Sequence, residues 1–248
     1  MNKILKNDEY ENGDPYKVKN NIESEFQKRR IYFTKKLCLK AKKLLNTKEP
    51  KILDVGCGEG YITYEIKNLF EKADVFGIDK SGIAINKARS IFKEISFISC
   101  DAMNIPMQNE YFDIVICNNI IEHVDNPDGL LNEVSRKMKK GGYIIISTPS
   151  IYRIENVIKL FFFGKTDLMS ELHFEEYSPW RIFELLKDCG YDVVYFMSKP
   201  LEYRTWNLKK IAIHKILKPI LYFCFYPFNK MKYGLESTVF YLAKKNNK

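Results

Sequence analysis

The sequence contains no pair of cysteines at C-x-x-C spacing, and its first 21 residues include no apolar segment of signal-peptide length. The six cysteines are scattered, which argues against a cysteine-ligated zinc site and against a disulfide framework. Free thiols fit a reducing compartment, and the polar first segment carries no export signal. We therefore expect a cytoplasmic protein.

Internal repeats, low-complexity linkers and long apolar runs are also missing. The aromatic-rich run at 219–228 is shorter than the about 20 residues that a membrane-spanning helix needs. Hydrophobic residues make up 46% of the 248 positions, which is enough for one large core or two small ones. The formal net charge of +9 fits either a solvated lysine-rich surface or contact with an anionic partner or membrane.

From Lys51 onward, short apolar segments alternate with amphipathic ones. This pattern predicts a parallel sheet with helices on both faces, a doubly wound α/β fold. The last apolar segment follows no helix, so we expect it to return as an antiparallel seventh strand. Strands are predicted at 51–56, 74–79, 95–101, 111–119, 143–149, 191–199 and 236–245, and helices at 61–73, 82–94, 127–142 and 178–190.

The predicted organisation is an N-terminal polar segment and helix over 1–49, followed by one domain over 50–248. Phe26, Phe33, Leu37 and other apolar residues indicate the helix, from 22 to about 46. Two stretches do not fit the alternation, at about 151–173 and 200–235. We interpret both as insertions in the single domain.

The stretch "KILDVGCGEGYITYEI" places three glycines, Gly56, Gly58 and Gly60, between the first strand and the first helix of the alternation. In a doubly wound sheet, ligands bind beyond the carboxyl ends of the strands, where this loop lies. Glycines there let a ligand touch the backbone, and the next helix offers free N–H groups. The loop is therefore predicted to form the floor of a cofactor site.

The spacing of these glycines departs from the dinucleotide pattern G-x-G-x-x-G, since the third glycine comes one residue early and Tyr61 stands in its place. The negatively charged Glu59 within the loop would also be unfavourable beside a pyrophosphate, which is itself an anion. These two features argue against a nicotinamide-dependent dehydrogenase. They favour a cationic cofactor without phosphates, such as S-adenosylmethionine.

The segment "LDVGCGEG" resembles the first motif of the class I S-adenosylmethionine-dependent methyltransferases. The resemblance continues over roughly residues 50–200 through "VFGID", "SCDAMNIP", "FDIVICNNIIEHVDNP" and "KKGGYIIISTP", in the family's order and spacing. It implies methyl transfer from S-adenosylmethionine, with Asp79 on the ribose hydroxyls and Asp101 on the adenine amino group. The implied cofactor-binding set is Asp54, Gly56, Cys57, Gly58, Gly60, Asp79, Lys80, Asp101, Ala102 and Asn118.

The roles of two members of this set, Asp54 and Lys80, are less direct. Asp54 ends a buried strand, and it is expected near the methionine end of the cofactor, to hold the glycine loop in shape, or both. Lys80 stands where the family often has an apolar residue against adenine. Its alkyl stem can cover the ring instead.

His123 and His173 are the candidate catalytic residues. Each belongs to a segment that lines the acceptor side of the family's fold, and an imidazole can take a proton from a hydroxyl or amine nucleophile near neutral pH. A purely structural role, in a helix start for His123 or a helix cap for His173, stays open. His214 lies in a basic stretch and is expected at the surface.

The segment "NIIEH" is similar to the E-x-x-E-H spacing of the quinone-biosynthesis O-methyltransferases, which is associated with a divalent metal. Asn119 replaces the first glutamate of that pattern, and Glu122 and His123 remain. Since asparagine is the weaker ligand, we expect no metal at this position.

The acceptor is expected to be a small molecule or a lipid-linked compound, methylated at oxygen or nitrogen. A nucleic-acid methyltransferase is the rival that the net charge favours, but the Asn/Asp-Pro-Pro-aromatic motif of base methylators is replaced by "NNIIEH". We therefore expect no nucleic acid as partner. A non-catalytic module that binds S-adenosylmethionine is a further alternative.

Residues 200–235 predict a contact with the inner face of a membrane. Between Glu202 and Glu236 there are basic residues but no acidic one, and Ile213, Ile216 and Leu217 begin a helical apolar spacing. That pattern is typical of an amphipathic helix in a membrane interface. "KLFFFGK" in the first insertion is predicted to join the same surface, although both insertions can instead cover the substrate pocket or form a dimer interface.

Overall fold

Seven strands and six α-helices are found in the described part of the chain, which comprises residues 21–45, 47–199 and 238–246 of this computed structural model. The second predicted insertion, 200–235, and His214 lie outside these residues. The strands are β1 (Lys51–Val55), β2 (Asp74–Asp79), β3 (Ser96–Ser99), β4 (Phe112–Asn118), β5 (Met138–Pro149), β6 (Tyr191–Lys199) and β7 (Thr238–Lys245). The helices are α1 (Asn21–Leu44), α2 (Tyr61–Leu69), α3 (Gly82–Ile91), α4 (Pro127–Lys137), α5 (Ile154–Phe163) and α6 (Pro179–Asp188), with a 3-10 turn at Ile121–His123.

All seven strands form one sheet in the order β3-β2-β1-β4-β5-β7-β6. The first five pair in parallel, and β7 runs antiparallel between β5 and β6. The predicted doubly wound sheet with an antiparallel last strand is thus confirmed. Its strand order reverses between β1 and β4, so the loops after these two strands meet at one edge.

Strand β4 shows why the central strands are apolar on both sides. Ile114 and Ile116 face a cluster that includes α1 and α2, whereas Val115 and Cys117 face a cluster that includes α4 and α6. Every residue of β4 is buried. A strand covered on both faces needs apolar side chains at successive positions, and this accounts for the continuous run in the sequence.

The structure corrects the helix that was predicted over 127–142. Helix α4 ends at Lys137, and Met138 already begins β5, whose pairing with β4 is irregular between Phe112 and Ile114. A Cβ on Gly142 would lie 3.0 Å from the carbonyl oxygen of Asp113. The glycines near 142 therefore accommodate an irregular strand pairing rather than a helix end.

The first predicted insertion, 151–173, contains helix α5. Three of its phenylalanines are strongly exposed, with exposed fractions of 82% for Phe161, 68% for Phe162 and 71% for Phe163. Among the described residues, no helix is long and apolar enough to cross a membrane.

Candidate functional site

The loop after β1 lies at the edge where the strand order reverses. Its three glycines have positive φ angles, 72° for Gly56, 55° for Gly58 and 81° for Gly60. The N–H groups of Gly56 and Cys57 both donate to the carbonyl of Ile78 in β2, at 2.8 and 2.9 Å. The loop is therefore folded tightly across the ends of β1 and β2.

Packing as well as backbone conformation calls for glycine in this loop. A Cβ on Gly56 would lie 3.0 Å from Cδ1 of Ile120, which follows β4, and one on Gly60 would lie 2.7 Å from the ring of Phe97. The approach of Gly56 to Ile120 brings the loops after β1 and β4 together. The two close approaches also explain two of the three glycines without reference to a ligand.

Asp79, at the end of β2, is buried and binds the glycine loop directly. Its Oδ2 accepts a hydrogen bond from Gly58 N at 2.8 Å, and its Oδ1 accepts one from Ser81 N, also at 2.8 Å. The carboxylate therefore orders the glycine loop and joins it to the start of α3.

Asp54, in β1, is also buried, and its Oδ2 accepts a hydrogen bond from the Thr63 hydroxyl at 2.7 Å. Burial raises the pKa of the Asp54 carboxyl to about 7, and the Thr63 hydroxyl and the Arg30 guanidinium act against that rise. The sequence predicted a carboxylate that needs partners, and Thr63 of α2 is one of them.

Lys80 and Asp101 lie at the neighbouring ends of β2 and β3. Lys80 Nζ is 3.9 Å from Asp101 Oδ2, and Asp101 Oδ1 accepts a hydrogen bond from Met103 N at 2.8 Å. Asp101 is exposed, and Ala102 beside it is half-buried. The two charged side chains therefore form one edge of the region that begins at the glycine loop.

Asn118 ends β4, and both groups of its amide are engaged within the protein. Its Nδ2 donates to Thr34 Oγ1 of α1 at 2.9 Å, and its Oδ1 accepts a hydrogen bond from the Ser147 hydroxyl at 3.0 Å. The Ser147 hydroxyl also lies 2.8 Å from Asn119 Oδ1. Any contact of Asn118 with a ligand would have to share these groups or use its backbone.

The side chains of two loop residues, Cys57 and Glu59, are engaged within the protein. The Cys57 side chain, which the sequence assigned to the cofactor site, packs against the apolar cluster that includes Phe92 and Phe97, and a Cβ on Gly77 of β2 would lie 3.0 Å from its sulfur. Glu59 pairs with Lys87 of α3, with 3.2 Å between Oε1 and Nζ. Because Lys87 balances the charge of Glu59, that carboxylate is a weaker argument against a pyrophosphate than the sequence indicated.

A second group of polar side chains follows β4 and β5. Glu122 and His123 belong to the 3-10 turn, and His173 lies in the loop before α6. Their ligand-type atoms are all within 4.8 Å of one another, and the two imidazole rings meet edge to face with centroids 4.8 Å apart. The structure thus brings the two candidate catalytic histidines together across 50 positions of sequence.

Hydrogen bonds in this cluster tie three segments together, namely the 3-10 turn, the loop before α6 and β5. The backbone N–H of Phe174 donates to the Glu122 carbonyl at 2.8 Å, and His123 Nδ1 lies 3.3 Å from the Leu172 carbonyl oxygen. The Thr148 hydroxyl of β5 donates to Glu122 Oε2 at 3.1 Å. Burial raises the pKa of the Glu122 carboxyl to about 7, and the nearby His173 partly offsets that rise.

Sequence reasoning missed the residues that support His173. His173 Nδ1 lies 2.8 Å from Oε1 of the buried Glu176, whose other oxygen pairs with the buried Arg153. Arg153 also donates to the Asp167 carbonyl. The one available signal was the i, i+3 spacing of His173 and Glu176, since Arg153 is brought close only by the fold.

Comparison with known proteins identifies the family. The family model for a methyltransferase domain matches residues 46–223, which is most of the chain.

The chain belongs to this methyltransferase family.

Two curated relatives show how far this methyltransferase resembles known enzymes. It is 26% identical over 181 residues to the mitochondrial ubiquinone biosynthesis O-methyltransferase of Candida albicans, covering 67% of this chain and 52% of that protein. It is 31% identical over 121 residues to the ubiquinone/menaquinone biosynthesis C-methyltransferase UbiE of Campylobacter jejuni, covering 47% of this chain and 52% of the relative. The match spans about half the length of each relative.

A solved structure agrees on the fold. The crystal structure of a SAM-dependent methyltransferase from Methanosarcina mazei superposes with a TM-score of 0.59 over 84% of this chain and 97% of its own, at 19% identity. The class I methyltransferase fold expected from the motifs is thereby confirmed.

S-adenosylmethionine is the cofactor that the family and fold imply, and the residues present fit it. The carboxyl edge gathers three carboxylates, of Asp54, Asp79 and Asp101, around a loop with three left-handed glycines. That donor set suits a ligand with a cationic sulfonium, an amino group and ribose hydroxyls, because each of these groups favours an anionic or accepting neighbour.

Proposed function

We propose that this protein transfers a methyl group from S-adenosylmethionine to a small-molecule or lipid-linked acceptor, at oxygen or nitrogen. The observation that carries the proposal is the pairing of two regions at one edge of the sheet. The glycine loop with Asp79 forms the cofactor side, and the cluster of Glu122, His123 and His173 forms the acceptor side. The two sides adjoin at Gly56, where an added Cβ would lie 3.0 Å from Cδ1 of Ile120.

On the cofactor side, Asp79 is proposed to accept the ribose hydroxyls and Asp101 the adenine amino group. The Lys80 stem is proposed to cover the adenine ring, an arrangement supported by the 3.9 Å pair between Lys80 and Asp101. Asp54 is proposed to lie at the methionine end. When bound, the cofactor supplies an activated methyl group, so the chain has mainly to align a nucleophile behind it.

On the acceptor side, His123 and His173 are proposed to assist the loss of the acceptor's proton. The Nδ1 atom of each histidine lies beside an acceptor, the Leu172 carbonyl or the Glu176 carboxylate. A proton on Nδ1 leaves Nε2 as the accepting nitrogen. His123 is partly exposed, which supports access from the acceptor side.

The methylated atom and the acceptor are the finer parts of the proposal. One relative's name specifies an O-methyltransferase and the other's a C-methyltransferase, so the choice of oxygen or nitrogen rests on the histidine pair. Both names refer to quinone biosynthesis, which supports a lipid-linked acceptor. The net charge of +9 is the observation that favours a nucleic acid instead.

Peripheral contact with the inner face of a membrane is proposed as part of this function. Residues 200–235, for which the sequence predicts a basic amphipathic helix, lie outside the described residues. Support within them comes from Phe161, Phe162 and Phe163, which are exposed side by side on α5. The exposed Lys165 and the half-buried Lys159, which pairs with Asp167, lie nearby in the sequence. Exposed aromatic and basic residues together favour an anionic lipid surface.

The test uses S-adenosylmethionine labelled in its methyl group. The full chain is incubated with separated lipid, small-metabolite, RNA and protein fractions of the source cell, and Asp79→Ala serves as the matched variant with weakened cofactor binding. We expect label in the lipid or small-metabolite fraction, and much less with the variant. Label in RNA would replace the proposal by the nucleic-acid alternative, and cofactor binding without label in any fraction would favour a non-catalytic module.

A further inference from the structure

Glu122, which lies beside the two histidines, has a buried polar atom without a hydrogen bond in the described part of the chain. Its side chain is fully buried, and its Oε1 has no hydrogen-bond partner among the described residues, while Oε2 receives the Thr148 hydroxyl. A buried acceptor without a hydrogen bond destabilises the folded protein, so a buried atom of this kind calls for an explanation. A bound ion is one of the explanations that buried carboxylates commonly have.

The two histidines beside Glu122 are oriented in the way that metal-binding histidines usually are. His123 Nδ1 lies beside the Leu172 carbonyl and His173 Nδ1 beside the Glu176 carboxylate. Metal-bound histidines almost always donate their second ring N–H to a carbonyl or carboxylate, which fixes the tautomer and leaves the other nitrogen as the ligand. Glu176 is itself held by Arg153, so the support extends one residue further.

We propose that Glu122, His123 and His173 form a binding site for one divalent transition metal ion. This proposal replaces the expectation of no metal, which was based on Asn119 standing in place of a glutamate of the E-x-x-E-H pattern. The third ligand here is His173, which comes from the loop before α6. Two imidazoles and one carboxylate, with a position left open for water or substrate, are the protein ligands of several catalytic zinc sites and of the mononuclear iron oxygenases.

The ligand set also selects the kind of metal. Mg²⁺ and Ca²⁺ prefer oxygen ligands, whereas Zn²⁺, Fe²⁺ and Co²⁺ accept imidazole nitrogen readily. With metal–ligand distances of about 2.0–2.2 Å, neighbouring ligand atoms around a tetrahedral ion lie about 3.4 Å apart. The three ligand atoms are within 4.8 Å of one another, so side-chain movements of about 1 Å bring them to that spacing.

With the metal bound, the second ring nitrogens of His123 and His173 would be ligands and could not also accept the acceptor's proton. The metal would assist the reaction in their place, because it would bind an oxygen of the acceptor and lower its pKa, which would ease the loss of its proton. That role rests on the proposed function, but the binding of the ion does not.

The test measures binding rather than activity. The tag-free full chain is stripped with EDTA, dialysed and titrated with Zn²⁺ by calorimetry, and Co²⁺ is added separately to record its visible absorption. We expect one ion per chain, Co²⁺ bands of low coordination number, and no displacement of Zn²⁺ by millimolar Mg²⁺. Glu122→Gln, His123→Ala and His173→Ala should each weaken Zn²⁺ binding at least tenfold.

Glu133→Gln is the matched control, because Glu133 is a buried glutamate of α4 whose carboxylate is already bound by Arg136 and by the Ile105 N–H. Its Zn²⁺ affinity should equal that of the unchanged chain. Glu122→Gln preserves the shape of the side chain, so it keeps the test valid even if a histidine variant folds poorly. Absence of saturable Zn²⁺ binding, or equal affinity in Glu122→Gln and the unchanged chain, would overturn the site.

S-adenosylmethionine affinity is measured on the same samples. If the metal fails to bind while the cofactor binds, only the metal site is wrong. If the metal binds and no methyl transfer is found, the site stands and the proposed function fails.

Discussion

Thr34 of α1 and Asn118 of β4 are joined by a hydrogen bond of 2.9 Å between buried side chains. The Thr34 hydroxyl in turn donates to the Arg30 carbonyl at 2.7 Å, so the bond fixes the orientation of both groups. The N-terminal helix thereby contacts the end of the strand that carries the acceptor-side turn. A segment that the sequence separated from the catalytic domain is thus in direct contact with a candidate site residue.

Replacing Thr34 by valine should lower the free energy of unfolding by about 1–3 kcal/mol, because the buried Asn118 N–H loses its acceptor. Thr34→Ser keeps the hydroxyl and is the control, with a smaller loss expected. Urea denaturation of the three proteins measures the difference. Equal midpoints for valine and serine would show that the hydrogen bond contributes nothing to stability.

Asp79→Ala should weaken the binding of S-adenosylmethionine by about 1.5–3 kcal/mol, the usual contribution of hydrogen bonds to a charged acceptor. Gly58→Arg should block the loop sterically, although the positive φ of Gly58 means that arginine also strains the backbone there. Calorimetry with S-adenosylmethionine and S-adenosylhomocysteine provides the measurement, with circular dichroism to check the fold. If both variants fold and keep the original affinity, the cofactor does not bind at this loop.

The affinity for S-adenosylmethionine should rise with pH between about 6 and 8. Burial raises the pKa of Asp54 to about 7, so in the free protein below that pH the carboxyl is protonated. A cationic cofactor binds more tightly to the ionised carboxylate. At low pH, binding therefore requires Asp54 to lose its proton, which weakens the affinity, whereas at higher pH the proton is already lost. S-adenosylhomocysteine lacks the sulfonium charge and should show a weaker dependence.

Asp54→Asn is the control for that pH dependence, because the amide does not titrate. Its affinity profile should be flat over the same range. A flat profile in the unchanged chain would mean that Asp54 does not sense the charge of the cofactor.

His123→Ala and His173→Ala should each lower kcat on the true acceptor, by a factor approaching the 10²–10⁴ that is typical of a lost proton acceptor. The affinity for S-adenosylmethionine should stay unchanged, since the two histidines belong to the acceptor side. His214→Ala is expected to leave turnover intact. Should both single variants retain full turnover, neither histidine assists the reaction.

Phe161→Ser combined with Phe162→Ser should reduce sedimentation with anionic liposomes by about tenfold or more, because burying a phenylalanine is worth about 1.5–3 kcal/mol. Ile91→Ser removes another exposed apolar side chain, at the end of α3, and serves as the control. If the unchanged chain stays in the supernatant at low salt, the membrane proposal is wrong.

Much of the fold could be predicted because its signals are local. Strands β2 and β6 begin and end at the predicted residues, since each is a short apolar run bounded by turn residues. Helix α4 was predicted too long because lysines and glycines suit a helix end as well as an irregular strand. The close approach of Gly142 to the Asp113 carbonyl, where a Cβ would lie only 3.0 Å away, favours the irregular strand, and that contact is absent from any local pattern.

The sequence by itself determined the alternating sheet, the glycine loop between β1 and α2, and the carboxylates that follow the strands. It could do so because burial on two faces and tight turns each require particular residue types at neighbouring positions of the sequence. Only the tertiary structure decided that His173 meets Glu122 and His123, that Arg153 supports Glu176, and that Thr34 holds Asn118. The physical reason is that these contacts join side chains from different elements, and their distances depend on how helices and loops pack against the sheet edge.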